Sequence, residues 1–286
     1  MTIRLLPPER IALALLGVVV ITLSVAWLAG KPVAGHVAQH VAMMAAYVVI
    51  IAWLDHRRSL AWHWYARGLT TILLLFVLYG TIAFAAYDAL PYDGDAWLLR
   101  IDAFLGAGRQ PGLVLARYVT PLGTEVMSGV YSAFIFYLYV SVLLGLVGRP
   151  DPERDAFVTG LSLTYAVAFL GYLFVPAQGP IVSLAHAYPS PLPRGPLHDV
   201  VLQAIAWAGG PHGAFPSLHL GASVFLCGFD LRVNRLRGLT YLPLVAGIAV
   251  ATVYLRYHYV VDLIAGTLIA LGALYAAPRM QQAVAR

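Results

Sequence analysis

Two short stretches hold ionisable side chains at spacings that could do chemistry. In Arg256-Tyr257-His258-Tyr259-Val260-Val261-Asp262, an imidazole and a carboxylate stand four residues apart. On a helix that spacing puts both on one face, one turn apart. A carboxylate beside an imidazole keeps one ring nitrogen protonated and leaves the other free to attack or to accept a proton. In Gly213-Ala214-Phe215-Pro216-Ser217-Leu218-His219, Ser217 follows a proline and precedes an apolar run, so it reads as a helix N-cap. A capped helix start offers free backbone N–H groups, that of Leu218 among them, and a positive dipole end; together they favour an anion. His219 then falls in the first turn. One histidine could attack phosphorus while the other protonates the leaving oxygen. Each feature taken singly also reads as ordinary capping or as a polar contact between helices. Their occurrence together, in one apolar chain, points to a site, because ionisable groups at membrane depth are expensive.

The elements that must position these groups are membrane helices. Of 286 residues, 60% are hydrophobic and only 11% charged, where a soluble domain carries about 25%. The mean hydropathy is +0.78. Apolar runs predict eight spans, at about 11–28, 36–54, 68–87, 126–147, 156–175, 217–231, 239–255 and 258–277. The first run is long for a signal peptide and lacks a clear small-x-small cleavage site, so it reads as a retained helix. Residues 1–67 form a two-helix addition and 68–286 the larger bundle. Within 88–124, residues 95–105 read as a short amphipathic helix on the membrane surface, and 113–121 is too short to span. The acids here are too irregularly spaced for a metal site. The segment 176–212 is dense in Pro and Gly and is expected to roof the site, with His186, His198 and His212 reading mainly as exposed loop residues. His36 and His40 share a helix face without a nearby carboxylate or third ligand, so they read as structural. The single cysteine, Cys227, excludes a disulfide within the chain.

A pI near 9.3 could suggest nucleic acid, but the cations are scattered among short loops and fit membrane topology better. Eight alternating spans put Arg4, Arg10, Arg57, Arg58, Arg67, Arg149, Arg154, Arg232, Arg235, Arg237, Arg279 and Arg286 on one side. Lys31, Arg100, Arg109, Arg117, Arg194 and Arg256 fall on the other. The positive-inside rule then predicts cytoplasmic termini in a plasma-membrane protein, with both histidines at the extracytoplasmic face.

Pro216-Ser217-Leu218-His219, followed about forty residues later by His258-x-x-x-Asp262, resembles the type 2 phosphatidic acid phosphatase superfamily of membrane enzymes. The form Phe-Pro-Ser-Leu-His is more similar to the branch containing inositol phosphorylceramide synthases. Gly171-Tyr172-Leu173-Phe174-Val175-Pro176-Ala177-Gln178-Gly179-Pro180 resembles the Tyr/Pro element of that branch. The resemblance covers roughly residues 68–277. It implies an all-α membrane fold with a six-helix catalytic bundle. It also implies that His258 is a nucleophile forming a phosphohistidine, that Asp262 orients it, that His219 is the general acid and that Ser217 helps bind phosphate. Tyr172, Gln178, Gly179 and Pro180 would contact substrate. The implied partner is a lipid phosphate or phospholipid in the bilayer, and the acceptor is water or a lipid or polyol hydroxyl. Neither metal nor cofactor is expected, since positive charge comes from arginine and backbone amides.

One position departs from the superfamily pattern. Where an Arg is usual six residues before the nucleophile, this chain has Thr252. Arg256 is the nearest cation and the candidate phosphate clamp, because a guanidinium suits a tetrahedral oxyanion; its ordinary reading is an interfacial, snorkelling Arg. Two other readings stay open: a homologue without activity, resting on Thr252, and a transporter or lipid-binding scaffold that uses the same cluster for recognition only. Transporters often carry duplicated halves, and no such duplication is visible.

Overall fold

The computed structural model describes residues 3–57, 59, 62–147, 149–208 and 210–285, with side chains to 282. Arg58 and Arg286 of the charge count lie outside the described residues. The described chain is helical and contains no strand. Its helices are α1 (Pro7–Leu28), α2 (Ala34–Asp55), α3 (His63–Ala89), α4 (Asp95–Leu105), α5 (Pro111–Leu115), α6 (Pro121–Leu146), α7 (Asp151–Phe174), α8 (Pro180–Ser183), α9 (Pro196–Trp207), α10 (Leu218–Val233), α11 (Arg235–Tyr254) and α12 (Val260–Ala285). Seven of them are long and apolar enough to cross a membrane: α1, α2, α3, α6, α7, α11 and α12. The protein is an integral membrane protein. The eighth expected span is α10, whose 16 residues rise only about 24 Å at 1.5 Å per residue.

The chain divides into two compact units, residues 1–91, 141–174 and 272–286, and residues 92–140 and 175–271. In the first, α1, α2, α3 and α7 pack together, so the two N-terminal helices share a unit with α3 and α7. Ala12, Tyr47, Ile51 and Leu54 form one apolar cluster, while Ile21, Val25, Leu28 and Val49 face outward, as lipid-facing positions do. One of the unit's buried polar side chains is Arg67. Its Nε and one terminal nitrogen donate to the two Glu9 carboxylate oxygens, each at 2.6 Å, and the other donates to Asp55 at 2.8 Å. A buried cation survives only when paired this completely. Glu9 also accepts the Leu6 N–H, so it serves the positive end of α1 as well. His36 differs from the expectation above: its Nε2 lies 2.8 Å from an Asp88 carboxylate oxygen, supplied from the far end of α3. Among the described residues no three metal-ligating side chains cluster.

The second unit holds both sequence motifs. Asn234 ends α10 and caps α11 through its side-chain oxygen, which accepts the Arg237 N–H, and Arg237 pairs with Asp230 across the turn. Helices α10 and α12 cross at two glycines. A Cβ on Gly221 would lie 3.0 Å from the Gly266 carbonyl oxygen, and one on Gly266 would overlap that of Ser217. Small residues let membrane helices approach this closely. The crossing sits about one turn inside α10 and within two turns of the start of α12, and Ser217 lies against Asp262: the Ser217 N–H donates to the Asp262 carbonyl at 3.0 Å.

Candidate active site

The segment between α11 and α12 is shaped by the way α11 ends. The Tyr257 N–H returns to the Thr252 carbonyl (2.9 Å) and the Arg256 N–H to that of Val253 (3.1 Å). This paired closure is the Schellman motif, which needs a left-handed residue, usually Gly, just past the helix. Here that residue is Arg256, at φ 68°. A non-glycine residue there costs on the order of 1 kcal/mol or more. The strain turns the chain sharply and sets His258 directly ahead of α12. Thr252, at the position where the family pattern has Arg, is fully buried, and its hydroxyl donates to the Ala249 carbonyl.

His258 is buried and its ring is oriented from both sides. Nδ1 lies 2.8 Å from the Ala214 carbonyl oxygen and 3.3 Å from Asp262 Oδ2. Both partners are acceptors, so Nδ1 carries the proton and Nε2 presents a lone pair. Nε2 lies 3.3 Å from His219 Nδ1, which must then be the donor. Asp262 Oδ2 also accepts the Tyr259 N–H at 2.8 Å, which ties the carboxylate to its own helix start. The two motifs therefore meet as the sequence predicted, through one imidazole pair.

Around His219 stand aromatic rings, with Tyr131 at 4.7 Å and Phe134 at 4.9 Å between centroids. Ser217 caps α10, its hydroxyl accepting the Leu220 N–H. Its side chain and N–H are thus both engaged, and the first-turn amides left without an intrahelical acceptor are those of Leu218 and His219. Arg256 is 6% exposed. Its guanidinium stacks 3.8 Å over the Tyr188 ring, and its Nε–H makes no hydrogen bond. Burial lowers its proton affinity, yet a guanidinium remains charged. The same burial pushes the Tyr188 hydroxyl up to about 12.

The Tyr/Pro element is split. Tyr172 packs in the first unit, edge-on to Tyr79 and beside Phe169. Gln178, Gly179 and Pro180 lie in the second unit. The N–H groups of Gln178 and Gly179 donate to the Asp95 carboxylate at 2.7 and 2.8 Å, and Pro180 begins α8. Gly179 has φ 89°, and a Cβ there would come within 2.5 Å of the Tyr257 carbonyl oxygen. Only glycine allows this loop so close to the segment carrying His258.

Sequence reasoning missed several residues. His198 is buried rather than exposed, with Nδ1 3.2 Å from the Ser128 hydroxyl. Desolvation, helped by the positive charge of Arg194, holds its imidazole below the ordinary value. Glu125 of α6 caps α9, accepting the Leu197 and His198 N–H groups at 3.0 Å each; a carboxylate 70 residues from the helix it caps leaves no local signal. Asp95 and Asp102 are buried on α4, and burial raises both above the usual carboxylate value while backbone N–H donors oppose the shift. Their signal was available. They are seven apart on a predicted helix, hence on one face, but the acids of this region were weighed only as metal ligands.

No curated protein and no solved structure matches the chain. A family model described as PAP2 superfamily matches residues 96–276, more than half of the chain, and that span contains α4 after Asp95, the 176–212 segment, both motifs and the whole His219–His258–Asp262 arrangement. Membership carries a lipid phosphatase or phosphotransferase type of function. With helices built to cross a membrane and two histidines meeting at the crossing of α10 and α12, the chain belongs to the PAP2 superfamily.

Proposed function

We propose that the protein moves a phosphoryl group, or a phosphate bearing a headgroup, from a membrane lipid phosphate through a covalent phosphohistidine at His258. The observation that carries this reading is the orientation of the His258 ring. Its Nδ1–H faces two acceptors, so the Nε2 lone pair is directed at His219. A donor phosphate replaces the contact between the two histidines. Nε2 attacks phosphorus, the bond from phosphorus to the lipid oxygen breaks, and His219, protonated in the substrate complex, gives its proton to the departing alkoxide. Asp262 balances the positive charge gained by the imidazole. Arg256 and the amides of Leu218 and His219 stabilise the equatorial oxygens. In the second half, His219 takes a proton from water or from a lipid or polyol hydroxyl, the new oxygen bonds to phosphorus, and the nitrogen–phosphorus bond breaks. Both steps proceed without a metal ion in this reading.

The distribution of Lys and Arg supports cytoplasmic termini in the plasma membrane and a site at the extracytoplasmic leaflet. The Phe215-Pro216-Ser217-Leu218-His219 form supports the branch of inositol phosphorylceramide synthases, hence transfer to a hydroxyl. Product analysis tests the reading. Purified protein in detergent with EDTA is given a panel of lipid phosphates and phospholipids beside His258→Asn. Free phosphate that vanishes in the variant makes it a lipid phosphatase. A new phospholipid without free phosphate makes it a transferase. If no donor yields a His258-dependent product, the transporter or scaffold reading replaces this one.

A further inference from the structure

Helix α4 is patterned inside out. Its buried face carries Asp95, Leu98 and Asp102, and its exposed face carries Trp97, Phe104 (83% exposed) and Leu105. In water this would bury charge and expose aromatics. At the boundary of a bilayer it puts the rings into lipid, but it leaves the buried acids to be explained. Asp102, 2% exposed, accepts the Val261 N–H of α12 at 3.0 Å, and Val260 also donates to it. These are first-turn amides of the helix that carries Asp262. Asp95, 3% exposed, accepts from Gln178 N–H, Gly179 N–H and the Tyr259 hydroxyl. The Gly94 N–H donates to the Pro176 carbonyl at 2.7 Å, and the Ala177 carbonyl accepts the Ala214 N–H at 3.0 Å. Ala214 is the residue whose carbonyl orients His258. Leu98, Ala177, Ala214 and Tyr259 pack as one apolar cluster between the two acids.

Each acceptor of the His258 Nδ1–H is therefore held from α4 by its own route. Asp102 holds the start of α12 and with it Asp262. Asp95 holds the 176–179 loop and with it Ala214. We propose that Asp95 and Asp102 are positioning residues, and that α4 is the brace that fixes the ring of His258 for reaction. This rests on the phosphohistidine reading above.

The two acids make a discriminating pair of tests. The Val261 N–H faces one oxygen of Asp102, which an asparagine still supplies. Both oxygens of Asp95 face N–H donors, so an asparagine must turn its NH2 against one of them. Asp102→Ala and Asp95→Ala are expected to lower kcat by ~10- to 100-fold, the scale of a reacting group displaced by about 1 Å, with KM little changed. Asp102→Asn should recover most of that loss and Asp95→Asn little of it. Hydrogen exchange of the same detergent-solubilised proteins gives a readout that needs no turnover. Amides of residues 259–263 should lose protection in Asp102→Ala, and those of 177–180 in Asp95→Ala. Wild-type kcat in both alanine variants, or full recovery by Asp95→Asn, overturns the brace. A loss confined to KM also overturns it. A wild-type protein that yields no His258-dependent product defeats the phosphohistidine reading instead, and the exchange pattern then decides whether the brace stands without it.

Discussion

Arg256 stands where backbone geometry favours glycine, with a buried and incompletely bonded guanidinium. Both features cost stability, and stacking on Tyr188 returns at most about 2 kcal/mol. Arg256→Gly is therefore expected to be at least as stable as the parent in thermal unfolding, while turnover falls by about 100-fold or more. A large loss of stability would mean that the arginine is structural. His198 makes a prediction of the opposite kind. Because desolvation lowers its proton affinity in the fold, the unfolded chain binds the proton first as pH falls. Its contribution to stability is complete above the ordinary value of 6.5 and is lost as pH drops below it. Thermal stability in detergent should decline from pH 7 to 5, and His198→Gln should flatten that decline.

At the scale of elements, the site depends on how closely α10 and α12 approach. Gly266→Ala puts a methyl group onto the Ser217 carbonyl. The helices must part, at a cost of about 1–3 kcal/mol, and Ser217 and Asp262 separate with them. We expect turnover to fall at least tenfold; unchanged turnover with unchanged stability would show that the crossing is slack. Here the limits of the sequence are physical. The His258/Asp262 spacing, the cap at Ser217 and the 95–105 helix were legible because each is a local pattern, although His258 lies just ahead of α12 rather than on it. That the two motifs belong together was legible in their occurrence in one apolar chain, and the resemblance pointed the same way. The partners of Ala214 and Glu125 were not legible, because they lie far along the chain or are backbone atoms that carry no residue identity; for Asp95 and Asp102 the shared helix face was legible and the partners were not.

For the whole molecule, hydropathy announced the membrane helices, yet α10 is shorter than a span. The first unit is held by an ion cluster that composition could not reveal. Arg67→Met leaves Glu9 and Asp55 buried without their cation and should destabilise the protein by about 3–5 kcal/mol, read as a lowered unfolding temperature. Adding Glu9→Gln and Asp55→Asn should restore much of it; no recovery would mean that Arg67 acts through packing alone.

The inside-out pattern of α4 also bears on the order in which the chain can be completed. Its acids are synthesised early, but the groups that satisfy them come late: Gln178 lies 83 residues after Asp95, Tyr259 164 after it, and Val261 159 after Asp102. Until α12 is in place, Asp102 lacks the Val260 and Val261 N–H groups and Asp95 lacks the Tyr259 hydroxyl. Insertion of α12 brings His258 with it and completes the hydrogen bonds of both acids. Under the proposed function, competence for chemistry would thus arrive only once α12 is in place.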